Sequence, residues 1–199
     1  MTNAAVGFRV HSGWASVVAL SLKNGLPEIL ARERVHLVEK FTYEFRQPYH
    51  TAEKLQPEKA AAFVSRMQSE ARELSGRAIR KLQAQLEAQG RRLVRSNVLL
   101  ASGRPLPALP QILASHSLIH TADGELFREA LLHASARCEL DVTSMRERQL
   151  LDSAARMLRL TSAEILRRAA ELGRAVGPPW SQDEKFAAIA AWLALTSSS

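Results

Sequence analysis

The first forty residues contain three runs whose hydrophobic positions are typical of β-strands. Residues 6–10 and 29–38 alternate between two faces with a two-residue period, and residues 14–22 form a mainly apolar run with two adjacent valines. Asn24-Gly25 separates the second run from the third, and Asn-Gly is a strong signal for a two-residue hairpin. The pattern predicts three antiparallel strands joined in chain order as a meander.

A long helical pattern follows the meander. Pro57 opens a run to about residue 89 in which apolar residues recur every three or four positions, and Gly90 ends it. Residues 93–101 then form a nearly continuous apolar run, which is typical of a buried central strand. Because a helical crossover returns the chain in parallel, this fourth strand is predicted to pair in parallel with the first.

The second half of the chain is predicted to be mainly helical. Residues 41–56 and 106–113 are interpreted as irregular connections. Thr121 is interpreted as the N-cap of a helix over residues 122–138, and residues 140–143 as a short fifth strand. Further helices are predicted over residues 147–158, from the capping box at 161–164 to Gly173, and from the capping box at 181–184 onward.

The composition is that of an ordinary globular protein. The 199 residues are 46% hydrophobic and 24% charged, so a single domain over residues 1–199 with a real core is predicted. No apolar stretch approaches the roughly 20 residues that cross a bilayer. The first residues also lack the basic and apolar regions of a signal peptide. We therefore expect a cytoplasmic protein with no membrane partner, in which the single Cys138 forms no internal disulfide.

The chain is strongly basic. Its net charge is +7 at pH 7, and 21 of its 27 basic residues are arginine, whose planar fork suits phosphate oxygens. Residues 66–95 contain eight basic and three acidic side chains. This segment is interpreted either as a solvated helix face or as a face that follows phosphates. Nucleic acid is the partner class that the charge favours, and the pattern predicts no particular oligomeric state.

Two short segments carry a resemblance to a known family. Residues 7–12 read Gly-Phe-Arg-Val-His-Ser before a hairpin, and residues 182–190 place Gln-Asp-Glu-Lys before an alanine-rich run. With the order of elements, this layout resembles the Holliday-junction resolvases (RuvC) of the RNase H-like superfamily, whose first strand is of the type Gly-Ile-Asp-Pro-Gly. The resemblance implies an α/β, RNase H-like fold with a mixed five-stranded sheet flanked by helices.

The same resemblance implies that the usual metal carboxylates are missing. The family's first carboxylate falls on Arg9, and residues 99–103 contain no acid, so only Asp183 and Glu184 remain near an expected position. Two-metal cleavage needs several carboxylates around ions about 4 Å apart, and a guanidinium repels such ions. Acids in the first turn of a helix also have a simpler role beside its dipole. We predict no metal site, no cofactor and no metal-dependent nuclease activity.

Histidines offer an alternative chemistry. His116 and His120 have a metal-ligand spacing, but residue 117 is not glutamate and the helix is predicted to begin after both. The polar residues of 115–125 instead favour an anion site at a helix N-terminus. The candidate catalytic residues are His116, His120 and Asp183, and His50 could face the same cleft. The candidate binding residues are His11, Ser102, Arg104, Trp180 and Lys185.

Three functions remain open at this point. The first is binding of nucleic acid or another polyanion by a resolvase-like domain that lacks its metal carboxylates. The second is an enzyme with histidine-based acid–base chemistry in the same cleft, and the third is a structural or assembly protein. Walker, Gly-x-Ser-x-Gly and Cys-x-x-Cys motifs are absent. The sequence favours the first function and leaves open whether the protein is an enzyme.

Overall fold

A mixed five-stranded sheet forms the centre of the computed structural model, which describes residues 1–101 and 105–196. Its strands lie in the order β3-β2-β1-β4-β5. Neighbours among the first three strands are antiparallel, whereas β4 runs parallel to β1 and β5 parallel to β4. The predicted meander, the parallel fourth strand and the mixed five-stranded sheet are therefore confirmed. The strands are β1 (Thr2–His11), β2 (Trp14–Lys23), β3 (Leu26–His36), β4 (Arg91–Leu100) and β5 (Asp141–Arg146).

Helices cover both faces of the sheet. One face packs on α3 and α5 in the largest hydrophobic cluster, and the other packs on α6, α7 and α8. Within the two described ranges, no helix is long and apolar enough to cross a membrane. The helices are α1 (Tyr43–Arg46), α2 (Pro48–Ala52), α3 (Pro57–Glu87), α4 (Leu109–Leu113), α5 (His116–Arg137), α6 (Leu150–Leu158), α7 (Ser162–Val176) and α8 (Gln182–Thr196), with a 3₁₀ turn at Glu147–Gln149.

Three sequence predictions about connections were wrong. The two segments predicted to be irregular contain the short helices α1, α2 and α4. The third error concerns α5, which begins at His116 with Ser115 as its N-cap, not after Thr121. The Ile119 N–H already closes a turn on the Ser115 carbonyl at 2.9 Å. Thr121 Oγ1 donates to the Ser117 carbonyl at 3.0 Å, so Thr121 bonds back within the helix and caps nothing.

The two-residue period of β1 decides which side chains meet α8. Val6 and Phe8 point into the core beneath α3 and α5, so Gly7 and Arg9 face the opposite side. At Gly7 the helix lies directly on the strand, because a Cβ there would be 1.9 Å from the Ala187 carbonyl oxygen. This close approach brings the N-terminus of α8 over the end of β1, where Arg9 is placed.

We expect Gly7→Ala to lower the free energy of unfolding by about 3 kcal/mol, because the added methyl forces strand and helix apart. Gly76→Ala is the matched control. Gly76 is also buried, but its Cβ would meet only the flexible end of Arg80 at 3.1 Å. Alanine is also the better helix former. Urea unfolding of the two variants measures the difference, and equal stabilities would contradict the packing of α8 on β1.

Candidate functional site

Arg9 is held between two carboxylates at the end of β1. Its Nε and Nη2 donate to Oε2 and Oε1 of Glu147 at 3.0 and 2.8 Å, which is a two-pronged pair. Its Nη1 donates to Oδ1 of Asp183. Only 16% of the Arg9 side chain is exposed, so water screens these ion pairs less than it screens pairs on the surface. The arginine therefore pairs with both acids and offsets one of their two negative charges.

The fold explains how three distant positions meet at this point. Arg9 pairs with Leu99 on β4, and Leu99 pairs with Met145 on β5. Glu147 follows Met145 by two residues, so it leaves the sheet at the level of Arg9. Asp183 arrives from the other side, on the first turn of α8.

The first turn of α8 is capped without the Asp183 carboxylate. Glu184 accepts the Ser181 backbone N–H at 2.7 Å, and Ser181 Oγ accepts the Asp183 backbone N–H at 3.1 Å. The predicted capping role of Glu184 is thus present. Because these bonds cap the helix, the Asp183 carboxylate can accept from Arg9 and from Nε2 of His11, which lies 3.0 Å away.

The residues at this position do not fit the divalent ions that resolvases of this fold use. A Mg²⁺ or Mn²⁺ site needs several oxygen ligands converging on one point. Here a guanidinium occupies the space between the two carboxylates, and it is joined to both. The hydrogen bonds to Glu147 are the main cause that raises the pKa of Arg9 above its ordinary value, so the positive charge is permanent.

A cleft extends on both sides of Arg128 along the ends of β1 and β4. One cavity of about 420 Å³ is lined by His11, His120 and Arg128. A second cavity of about 510 Å³ is lined by Arg128, Arg148 and Glu147. Arg128 and Ala101 line both cavities, so the two form adjoining parts of one cleft.

Arg128 is a largely buried cation of this cleft, and its hydrogen bonding is incomplete. Its Nη2 lies 3.5 Å from the Val10 carbonyl and its Nη1 lies 3.7 Å from the Glu125 carboxylate, and both distances are long. Among the described residues, its buried Nε has no hydrogen-bond partner. Burial lowers the pKa of the Arg128 guanidinium below its ordinary value. An anion in the cleft would supply the missing partner.

A stack of rings and guanidinium groups lies beside the cleft. His11 stacks on Trp14, with ring centroids 4.2 Å apart, and the Arg34 guanidinium lies 3.7 Å from the Trp14 ring. Phe41 extends the stack, because Arg34 and Arg46 lie 5.8 and 4.5 Å from its ring. Alternating cations and aromatic faces are the groups that bind bases and phosphates of nucleic acids.

Three further histidines converge at the N-terminus of α5. Nε2 of His116 and Nε2 of His120 are 3.0 Å apart, and the His50 ring lies 4.5 Å from that of His120, centroid to centroid. His50 is buried and comes from α2, whereas His116 and His120 are exposed. The buried Asp123 accepts from Nδ1 of His50 at 2.5 Å. Burial raises the pKa of Asp123 above its ordinary value, although the His50 bond opposes this shift.

The predicted site residues therefore fall into two groups joined by one cavity. Asp183 contacts Arg9 and His11, while His116 and His120 contact each other and His50. His11 and His120 both line the 420 Å³ cavity. The catalytic roles of His116, His120 and Asp183 stay predictions.

The remaining predicted residues have different surroundings. Trp180 packs against α7, where its Nε1 donates to the Ala169 carbonyl at 2.8 Å and its ring covers Gly173. Lys185 lies on the first turn of α8 and is half-buried. Ser102 and Arg104 lie outside the described residues.

Sequence reasoning missed Glu147 and Asp123. Glu147 had a signal, since it is the first acid after the short fifth strand, and strands parallel to β1 end at the same sheet edge. Asp123 had a weaker signal. It sits three residues after His120, which places it near the same helix face, but its partner His50 lies 73 residues earlier.

Comparisons with known proteins show the fold. No protein-family model and no curated protein matches the chain. The chain is similar to Thermus thermophilus RuvC in complex with a Holliday junction substrate, with a TM-score of 0.51 and 10% identity over 94% of this chain and 90% of that one. A second T. thermophilus RuvC structure gives a TM-score of 0.49 with the same identity and coverage. The RuvC-like form of the RNase H-like fold, expected from the sequence, is therefore confirmed.

We expect Arg9→Ala to lower the free energy of unfolding at neutral pH by about 2 kcal/mol, because two half-buried carboxylates lose their partner. The free energy of unfolding of Arg9→Lys should lie between the values of Arg9→Ala and the parent protein, since one ammonium cannot reproduce the two-pronged bond. Arg77→Ala is the control, because Arg77 pairs with Glu73 on the exposed face of α3 and should change stability little. Urea unfolding in low salt is the measurement. Equal effects of Arg9→Ala and Arg77→Ala would contradict the role of Arg9.

Proposed function

We propose that this chain binds nucleic acid in its resolvase-like cleft, with arginine and histidine side chains, and no metal ions, at the carboxylate position of β1. Arg128 is the observation that carries the proposal. It lines both halves of the cleft, it is largely buried, and its Nε has no partner among the described residues. A phosphate oxygen is the anion that the guanidinium fork fits best.

The ion pairs of Arg9 weaken the electrostatic repulsion between this cleft and a phosphate group. Two unpaired carboxylates at its base would repel a polyanion, and Arg9 reduces this repulsion because it offsets one of their two negative charges. The Glu125 carboxylate lies 3.7 Å from Nη1 of Arg128 and offsets part of the positive charge of that guanidinium. Arg148 and His11 remain as further groups at the cleft wall. The net charge of +7 favours encounter with a polyanion over a longer distance.

The stack beside the cleft supports nucleic acid over a small anion. The stack contains two rings that other side chains partly cover: His11 stacks on Trp14 and His36 stacks on Phe41. Arg34 and Arg46 also lie against these rings. Phe41 is 38% exposed, so part of its ring is accessible to a base. A surface that combines ring faces with guanidinium groups suits a nucleotide chain better than it suits inorganic phosphate.

The neighbouring structure suggests which nucleic acid to test first. The T. thermophilus RuvC chain of the same fold is in complex with a Holliday junction substrate. A four-way DNA junction is therefore the first probe for this chain, with duplex and single-stranded DNA of matched length as comparisons. Preference for the junction would extend the proposal to branched DNA.

We expect a labelled four-way junction to bind with an affinity that falls steeply as salt rises, because phosphate contacts release counterions. Arg128→Gln should weaken binding about tenfold and reduce the salt slope by about one, which is the effect of losing one phosphate contact. Fluorescence anisotropy over a salt series gives both quantities. The junction should remain intact in the same samples when Mg²⁺ or Mn²⁺ is added, since Arg9 fills the space between the acids.

Arg167→Gln is the matched control. It makes the same change of charge on α7, where Arg167 pairs with Glu171 at the surface, and it should bind the junction like the parent protein. Because Arg128→Gln leaves the Glu125 carboxylate without its cation, circular dichroism and urea unfolding check that the variant is folded under the conditions of the binding measurement. If both variants weakened junction binding equally, the effect would come from net charge and not from the position of Arg128, which would contradict the proposal. Absence of salt-dependent binding in the parent protein would also refute it.

A further inference from the structure

The three histidines at the start of α5 point their nitrogens at one another. His116 and His120 are one helical turn apart, and both face the buried His50 of α2. One ring nitrogen from each lies within 4.8 Å of the other two. Two imidazole nitrogens bound to a tetrahedral zinc ion are about 3.3 Å apart, as bond lengths near 2.05 Å require. The 3.0 Å between the two Nε2 atoms is close to that value.

We propose that His50, His116 and His120 form a binding site for a zinc-class divalent ion. Imidazole nitrogen is a ligand that suits zinc and its transition-metal neighbours, and it is a poor ligand for Mg²⁺. The site is separate from the carboxylate position that Arg9 fills, and it does not rest on the proposed nucleic-acid function. It also departs from the sequence-based expectation of no metal. That expectation came from the missing carboxylates and, for these histidines, from the residue at 117 and the wrong start of α5.

Asp123 orients one of the three ligands. Its Oδ2 accepts from Nδ1 of His50 at 2.5 Å, which leaves Nε2 of His50 as the unprotonated nitrogen directed away from Asp123. Its Oδ1 accepts the Tyr49 backbone N–H at 2.7 Å. Burying a carboxylate is costly, and a carboxylate behind a metal-binding histidine is the usual arrangement in zinc proteins.

The site is open on one side. His116 and His120 are exposed, so an ion with three protein ligands would keep a fourth position for water or an anionic oxygen. His120 also lines the 420 Å³ cavity. The fourth ligand would therefore lie near the cleft, where an anion bound by Arg128 could reach it.

Metal titration of the full chain, prepared without a polyhistidine tag, tests the site. Co²⁺ is the spectroscopic probe, because four- or five-coordinate Co²⁺ gives visible absorption bands that the hexaaqua ion lacks almost entirely. We expect those bands to saturate at one equivalent of Co²⁺ and to disappear when one equivalent of Zn²⁺ displaces it. Equilibrium dialysis followed by elemental analysis gives the stoichiometry independently.

Variants of the two exposed ligands identify the residues without risk to the fold. His116→Ala and His120→Ala should each lose the bound equivalent. His133→Ala is the matched control, because His133 is exposed on the same helix and has no part in the cluster. Asp123→Asn should weaken Zn²⁺ affinity 10- to 100-fold, because an amide N–H facing Nδ1 of His50 places the proton on Nε2.

Each outcome decides the proposal. One tightly bound equivalent that His116→Ala and His120→Ala remove, and His133→Ala keeps, supports the site. Absence of saturable binding in the parent protein overturns it. Binding that survives both variants, or that His133→Ala also removes, overturns it as well, because the ion would then lie elsewhere. A failure here leaves the DNA-binding proposal untouched, since the binding series that tests that proposal depends on Arg128 and is measured before Mg²⁺ or Mn²⁺ is added.

Discussion

The pairing of Arg9 with Glu147 and Asp183 is the interaction on which the chemistry of this cleft depends. It joins β1, the turn after β5 and the start of α8 at the sheet edge where this fold gathers its functional groups. Acids crowded at one point are stabilised by a nearby cation. Here the cation is a guanidinium of the chain itself, and its single positive charge offsets one of the two negative charges. The guanidinium also occupies the space between the two carboxylates.

The packing around this pair follows from the same constraint. Arg9 reaches Asp183 because α8 lies against the backbone of β1 at Gly7, where a methyl group would collide with the helix. Because Arg9 offsets part of the negative charge at the cleft base, the proposed phosphate contacts of Arg128 and of the stack near Trp14 meet less repulsion there. The histidine cluster lies at the other end of the cleft, joined to it through His120. The proposed phosphate contacts and the proposed metal site thus lie along one cleft.

The sequence predicted the sheet because its signals are local. Two-residue alternation, Asn24-Gly25 and the long helix before residue 91 are sufficient to order four strands. It also predicted Arg9 at the missing carboxylate position. The partners of Arg9 were harder to find, because Glu147 lies 138 residues away in sequence. The start of α5 was misplaced because Thr121 resembles an N-cap, and with that error His116, His120 and His50 could not be placed together.

The central claim is that the Arg9 guanidinium occupies the space that a divalent ion would need. Crystals soaked in Mn²⁺ and measured near the manganese absorption edge test it most directly, with the Arg9→Asp variant as positive control. The account predicts no anomalous peak between Glu147 and Asp183 in the parent protein, with both carboxylates still on Arg9, and a peak at that point in Arg9→Asp. A manganese peak bound by Glu147 and Asp183 in the parent protein, with Arg9 turned away, would contradict the account.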